Sequence, residues 1–166
     1  MRRRASPGAN NDKPSAYDKA LGLLARREHS ARELKSKLVQ RGLDADESAK
    51  ALAQLKEKNY QSDARFGEML VRSRLEGGYG ERWIVAELRT HGITEAKARE
   101  LIESAEPDWP ELIRRQLWRR YGGKGAKDFA ERNKRAAFLL RRGFDAATVQ
   151  SITRTEGFDE SSGESD

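Results

Sequence analysis

Apolar residues recur along this chain at steps of three and four, the spacing that gathers side chains on one face of an α-helix. Leu34 and Leu38 share such a face, as do Ala51, Leu52 and Leu55, and farther on Trp109, Leu112, Ile113, Leu117 and Tyr121. No stretch alternates with period two, so strands are not expected. Helix punctuation falls between the apolar runs. Ser30 and Glu33 have capping-box spacing, and so do Asp44 and Glu47, in which a side-chain oxygen takes an early amide and a carboxylate reaches back to the cap. The helix opened by Ser30 stops at Gly42, and Leu43 follows as the apolar residue that folds back on it.

That punctuation repeats. Arg41-Gly42-Leu43 returns as His91-Gly92-Ile93 and again as Arg142-Gly143-Phe144, at intervals of 50 and 51 residues. Each stop precedes a polar helix starter (Asp44, Thr94, Asp145) and a short helix, and each follows a longer helix beginning near Ala16, Asp63 or Asp108. The unit is therefore a long helix, a middle helix ending in X-Gly-apolar, and a short helix. Three such units, over 16–61, 62–106 and 107–155, predict an all-α protein of tandem three-helix, helix-turn-helix-like repeats. Units too small to bury themselves are expected to stack into an elongated, curved, monomeric body. Residues 1–15 read as a disordered basic arm and 156–166 (EGFDESSGESD) as a disordered acidic tail, with Phe158 its one residue able to pack. In the third unit the middle helix is placed from about Ala126 to Arg142, and its Phe138-Leu139-Leu140 run should be touched on more than one side.

Composition narrows the class. Charged residues make up 36% of the 166, apolar residues 36%, and mean hydropathy is −0.91, which suits thin helical layers with wet outer faces. With no cysteine and only His29 and His91, disulfides, thiol nucleophiles and Cys- or His-rich metal sites are excluded. No apolar run approaches the ~20 residues of a membrane span. The start MRRRASPGANNDKP lacks the apolar core of a signal peptide, so a cytoplasmic protein without membrane contact is expected. Carboxylates cluster at helix starts or in ion-pair spacings such as Glu33–Lys37, and both histidines sit beside helix ends, which are structural placements. Gly122-Gly123-Lys124-Gly125 lacks the Walker spacing and a preceding strand, and reads as a flexible basic loop. Gly77-Gly78-Tyr79-Gly80 reads as a helix–helix turn. Neither an enzyme nor a cofactor is expected.

Charge distribution points instead to a polyanion. The net charge of +6 divides into +3 for 1–15, +3 for 16–61, −2 for 62–106, +7 for 107–154 and −5 for 155–166. A basic third unit beside a near-neutral middle suits an oriented contact, against the plainer reading of a solvated surface. On a helical wheel of 109–121, Trp118 falls opposite the apolar side, between Arg114 and Arg115 and next to Arg119. An outward tryptophan among arginines suits stacking on a base, or packing against the adjoining repeat. In the next helix Lys127, Lys134, Arg135, Arg141 and Arg142 fall on one broad face that would suit phosphates. Arg72, Arg74, Arg82 and Arg89 surround the glycine turn of the middle unit. Those cations, with Lys124, are the candidate contacts for nucleic acid or a protein partner.

The phrases LLARREHSARELKSKLVQRGL (23–43), DARFGEMLVRSRLEGGYGERWIVAELRTHGI (63–93) and KRAAFLLRRGFDAATVQSI (134–152), in that order on a 50-residue repeat, resemble the bacterial regulatory protein RecX family. The resemblance spans about residues 16–154. It departs from the family at Glu81, where a proline usually follows the glycine turn. What it implies is a non-enzymatic regulator that binds the recombinase RecA in the groove of the RecA–DNA filament. Such a protein restrains filament extension, ATP hydrolysis, strand exchange and co-protease activity, in homologous recombination, DNA repair and the SOS response. Weak, non-specific binding to single- and double-stranded DNA is expected beside it. The alternatives are a helical DNA-binding protein acting independently of RecA, and, more remotely, a nuclease.

Overall fold

A computed structural model describes residues 13–155. The acidic segment 156–166, with Phe158, and the first twelve residues of the basic arm lie outside the described residues. The chain divides into two compact units between Ser62 and Asp63. The first holds α1 (Ala16–Leu24), α2 (Ala31–Gln40) and α3 (Ala45–Glu57). The second holds α4 (Asp63–Glu76), α5 (Glu81–Thr90), α6 (Glu95–Ser104), α7 (Trp109–Tyr121), α8 (Phe129–Arg141) and α9 (Ala146–Thr155). Every described element is a helix, none of them long and apolar enough to cross a membrane.

The three glycine stops are copies of one another. Gly42, Gly92 and Gly143 have φ of +80°, +81° and +91°, a conformation that opposes a Cβ. Behind each, the next amide reaches back five residues: Leu43 to the Leu38 carbonyl at 3.2 Å, Ile93 to Leu88 at 3.2 Å, Phe144 to Leu139 at 3.3 Å. The polar starters cap as expected. Asp44 accepts the Asp46 and Glu47 amides, Thr94 the Lys97 amide, and Asp145 the Thr148 amide. A reciprocal box, each side chain bonding the other's backbone, opens α1 at Ser15–Asp18. At the expected Asp44–Glu47 box the cap half forms. At Ser30–Glu33 the serine accepts the Glu33 amide, while the Glu33 carboxylate meets Arg27 and Lys37.

Helix lengths differ from the long–middle–short expectation in the first repeat, where α1 has 9 residues and α3 has 13. The turn after Leu24 has to deliver buried His29 to the Ser30 cap, which shortens α1. The Ala-, Lys- and Glu-rich run of α3 meets no breaker before Asn59, which takes φ +60°. The start of α8 also shifts, from Ala126 to Phe129, because Asp128 accepts the Glu131 amide and becomes the cap.

Each core follows the helical faces. In the first unit Ala20, Leu38 and Leu55 form one cluster, and Leu23, Leu34 and Leu52 another. In the second unit Phe66, Ile84, Leu88 and Leu101 centre one repeat, and Ile113, Leu117, Leu139 and Phe144 the next. Leu75 and Trp109 pack against both clusters, so helices α4 to α9 share a continuous apolar interior. Full burial of a Leu or Phe side chain is worth about 1.5–3 kcal/mol, which makes this interior the main stabiliser of the unit. The Phe138-Leu139-Leu140 run splits three ways. Leu139 is buried, Phe138 lies under the Arg120 and Arg142 guanidinium groups, and Leu140 opens to solvent.

Candidate functional site

Repeats two and three meet through backbone. Gly80 donates to the Arg142 carbonyl at 2.8 Å and Arg82 to the Gly143 carbonyl at 3.1 Å. No Cβ fits there: one on Gly80 would overlap the Gly143 and Phe144 backbone, and one on Gly143 would lie 2.5 Å from the Trp83 nitrogen. Arg142 closes the joint. Its guanidinium donates to the Gly78 carbonyl at 2.7 Å and to the Gly77 carbonyl, and covers the Tyr79 ring at 4.4 Å. Tyr79 in turn stacks on Trp83, with ring centroids 4.1 Å apart, and Arg74 lies over the far ring while gripping Glu87 through two 2.7 Å bonds. That pairing raises the Arg74 pKa above its ordinary value, so it stays charged.

This sorts the candidate cations. Arg74 and Arg142 are committed to the joint. Arg135, expected on an open face, is 2% exposed. Its guanidinium donates to the Lys124 and Gly125 carbonyls and to Glu131, and lies 4.2 Å from the Tyr121 centroid, because a loop rich in glycine leaves carbonyls that need donors. Glu131 is held below its ordinary pKa first by the Lys127 amide and then by Arg135. Lys127 precedes α8 instead of lying on it. The single face of five cations is therefore corrected: of its members, Lys134 and Arg141 remain exposed on the helix.

The other candidates keep their surface. Trp118 is 67% exposed, and Arg115, Arg119, Lys124 and Lys127 are exposed with no ion pair among the described residues. Arg114 stands 3.7 Å from Glu111, and Arg89 is 3.9 Å from Glu95. Arg72 is exposed on α4, and Arg82 is exposed near Asp145. Trp118, Arg114, Arg115 and Lys124 line one cleft of about 530 Å³, with Leu117 and Ile152 as its apolar wall and Thr155, the last residue of α9, at its edge. A Cβ on Gly123 would touch the indole at 3.2 Å, so the glycine loop lets the ring lie against the chain.

Sequence reasoning missed Tyr79, Trp83, Glu87 and Gln116 as parts of the joint. The i, i+4 spacing of Tyr79 and Trp83 was its available signal. Gln116 is buried against Gly78 across the repeat boundary, a relation that no local pattern carries.

The same three-repeat order appears in protein-family comparisons. Residues 16–55 match the first three-helix domain of RecX, 62–105 the second and 106–153 the third. The chain belongs to the RecX family. It is 46% identical over 136 residues to the regulatory protein RecX of Stenotrophomonas maltophilia strain R551-3, covering 82% of this chain and 83% of that one. It is 42% identical over 136 residues to its counterpart in Xanthomonas oryzae pv. oryzae strain MAFF 311018, covering 82% and 85%. Among solved structures, RecX from Lactobacillus salivarius superposes with a TM-score of 0.67 at 21% identity, over 85% of this chain and 94% of that one. A second regulatory protein RecX gives 0.71 at 21% identity, over 84% and 70%. At that identity the RecX structures speak to the fold, which is shared; the regulatory role rests on the sequence relatives.

Proposed function

We propose that this RecX-family chain binds RecA and the groove of the RecA–DNA filament and restrains its ATPase, strand-exchange and co-protease activities, acting as a cytoplasmic monomer without catalysis of its own. The match to all three RecX domains in order carries this reading. The sorted charges support it. Arg115, Arg119, Lys124, Lys127, Lys134 and Arg141 are free to meet phosphates, and Trp118 offers a stacking face. Arg72, Arg82, Arg89 and Arg114, on surfaces shared with carboxylates, suit a protein partner better. Arg74, Arg135 and Arg142 shape the body that presents them.

The deciding measurement is RecA ATPase on single-stranded DNA titrated with this protein. ATP turnover should fall at or below an equimolar ratio to RecA; unchanged turnover at a several-fold excess would refute the proposal. The exposed third-repeat cations also favour a second reading, DNA binding independent of RecA. That reading requires tight binding to bare DNA with a sequence preference. The proposed function requires weak binding with none.

A further inference from the structure

We propose that the acidic segment 156–166 of this chain docks into the cleft of the third repeat, with Phe158 against Trp118 and its carboxylates on Arg114, Arg115 and Lys124. The cleft is lined by four cations, the exposed Arg114, Arg115 and Lys124 and the buried, Glu131-paired Arg135, against the single lining carboxylate of Glu111. It displays an indole that is 67% exposed beside the apolar Leu117 and Ile152. An occupant must therefore be anionic and carry an apolar or aromatic group. The segment that continues from Thr155, itself part of the cleft wall, meets both demands. Glu156, Asp159, Glu160, Glu164 and Asp166 supply the charge, and Phe158 is its aromatic residue. Position favours it too: Thr155 lines the cleft, and the three residues on to Phe158 can span up to about 10 Å from it.

A tethered occupant enjoys a local concentration on the order of millimolar, against which a free competitor has to work. The docked segment thus covers a basic and aromatic surface of the third repeat. A nucleic-acid strand seeking Trp118 must displace it. This competition rests on the proposed function; the docking itself does not.

The test uses the full chain and reads the Trp118 indole N–H resonance, identified by its loss in Trp118→Phe. Parent protein is compared with a Phe158→Ala, Asp159→Asn, Glu160→Gln variant, without RecA or DNA. The resonance should differ between the two at roughly 0.02 M salt, and the difference should collapse near 0.5 M, where charges are screened within a few ångströms. The variant should also bind a short oligodeoxythymidine about three- to tenfold more tightly, the gain from removing a competitor that occupies most molecules. Coincident Trp118 resonances in parent and variant at low salt would overturn the proposal. So would an oligonucleotide that shifts Trp118 with equal affinity in both, which would make the cleft an open seat for nucleic acid. Because the resonance is read on the protein alone, its failure leaves RecA regulation untouched, and failed ATPase inhibition leaves the docking standing.

Discussion

His29 is 2% exposed, yet both of its ring nitrogens are used. Nδ1 lies 2.9 Å from the Arg27 carbonyl and Nε2 lies 3.2 Å from the Lys37 ammonium. An ammonium has only protons to give, so Nε2 accepts, Nδ1 donates and the ring is neutral. Burial is the main cause that lowers its pKa from 6.5, partly opposed by the bond to Arg27. Beside it, burial pushes Glu33 up, but hydrogen bonds from Arg27 and Lys37 outweigh that and hold it at about 2. In both cases the unfolded chain takes up a proton at higher pH than the folded chain, so acid favours unfolding. The His29 contribution is complete above 6.5 and is lost as pH falls below it. The Glu33 contribution is lost from 4.5 down towards 2. The denaturation midpoint should therefore drop between about pH 7.5 and 5.5, and drop less in His29→Gln. An equal drop in both proteins would remove His29 from this account.

At the same scale lies the limit of what the sequence discloses. Gly42, Gly92 and Gly143 were readable as stops because a left-handed glycine followed by an apolar residue is a local instruction. Arg135 and Arg142 were not readable, because their carbonyl partners lie 10 to 65 residues away, and nothing in a helical wheel distinguishes a cation that meets water from one that meets a bare backbone. Trp118 was placed correctly on the outer face, since its angle on the helix follows from its number alone.

Among elements, α8 now has two distinct kinds of arginine and lysine. Lys134 and Arg141 are exposed, so each phosphate contact they make should add about 0.7 to the log–log salt slope of single-strand binding. Replacing both by alanine should flatten that slope by up to ~1.4 with helicity intact. Arg82→Ala with Arg89→Ala should instead impair RecA inhibition more than binding to bare DNA. Equal loss of DNA affinity from both pairs would show that charge asymmetry does not direct the contact. Arg142→Ala belongs to another class. It removes two charge-assisted bonds and a ring contact, and should destabilise the second unit by about 2–3 kcal/mol, read as a lowered denaturation midpoint. Arg142→Lys should not restore it, because an ammonium lacks the planar face that covers the Tyr79 ring and the fixed spacing of donors that meets both carbonyls. A midpoint equal to the parent's in Arg142→Ala would mean that the joint is held by backbone alone.

For the whole molecule, the charge steps along the sequence matter more than their sum. The third repeat carries twelve basic and five acidic residues, and the second carries seven and nine, so a polyanion is drawn to one repeat in preference to its neighbour. The pattern was fully legible in the sequence. The share of it available to a partner was not, since three of the candidate cations are spent on holding the repeats in shape.

The start of α5 also bears on how the chain is made. Gly80 offers that helix no side-chain cap, and two of the amides at its opening are satisfied by carbonyls of Arg142 and Gly143, more than sixty residues downstream. A ribosome delivers residues 80–90 well before those carbonyls exist. The second repeat therefore leaves the tunnel with its middle helix unfinished at one end, and the third completes it. Amide exchange at Gly80 and Arg82 should report this directly, being slow in the full chain and fast in a chain stopped after Glu106. Slow exchange in the shortened chain would mean that the second repeat closes its own helix, and that the order of synthesis leaves no mark on it.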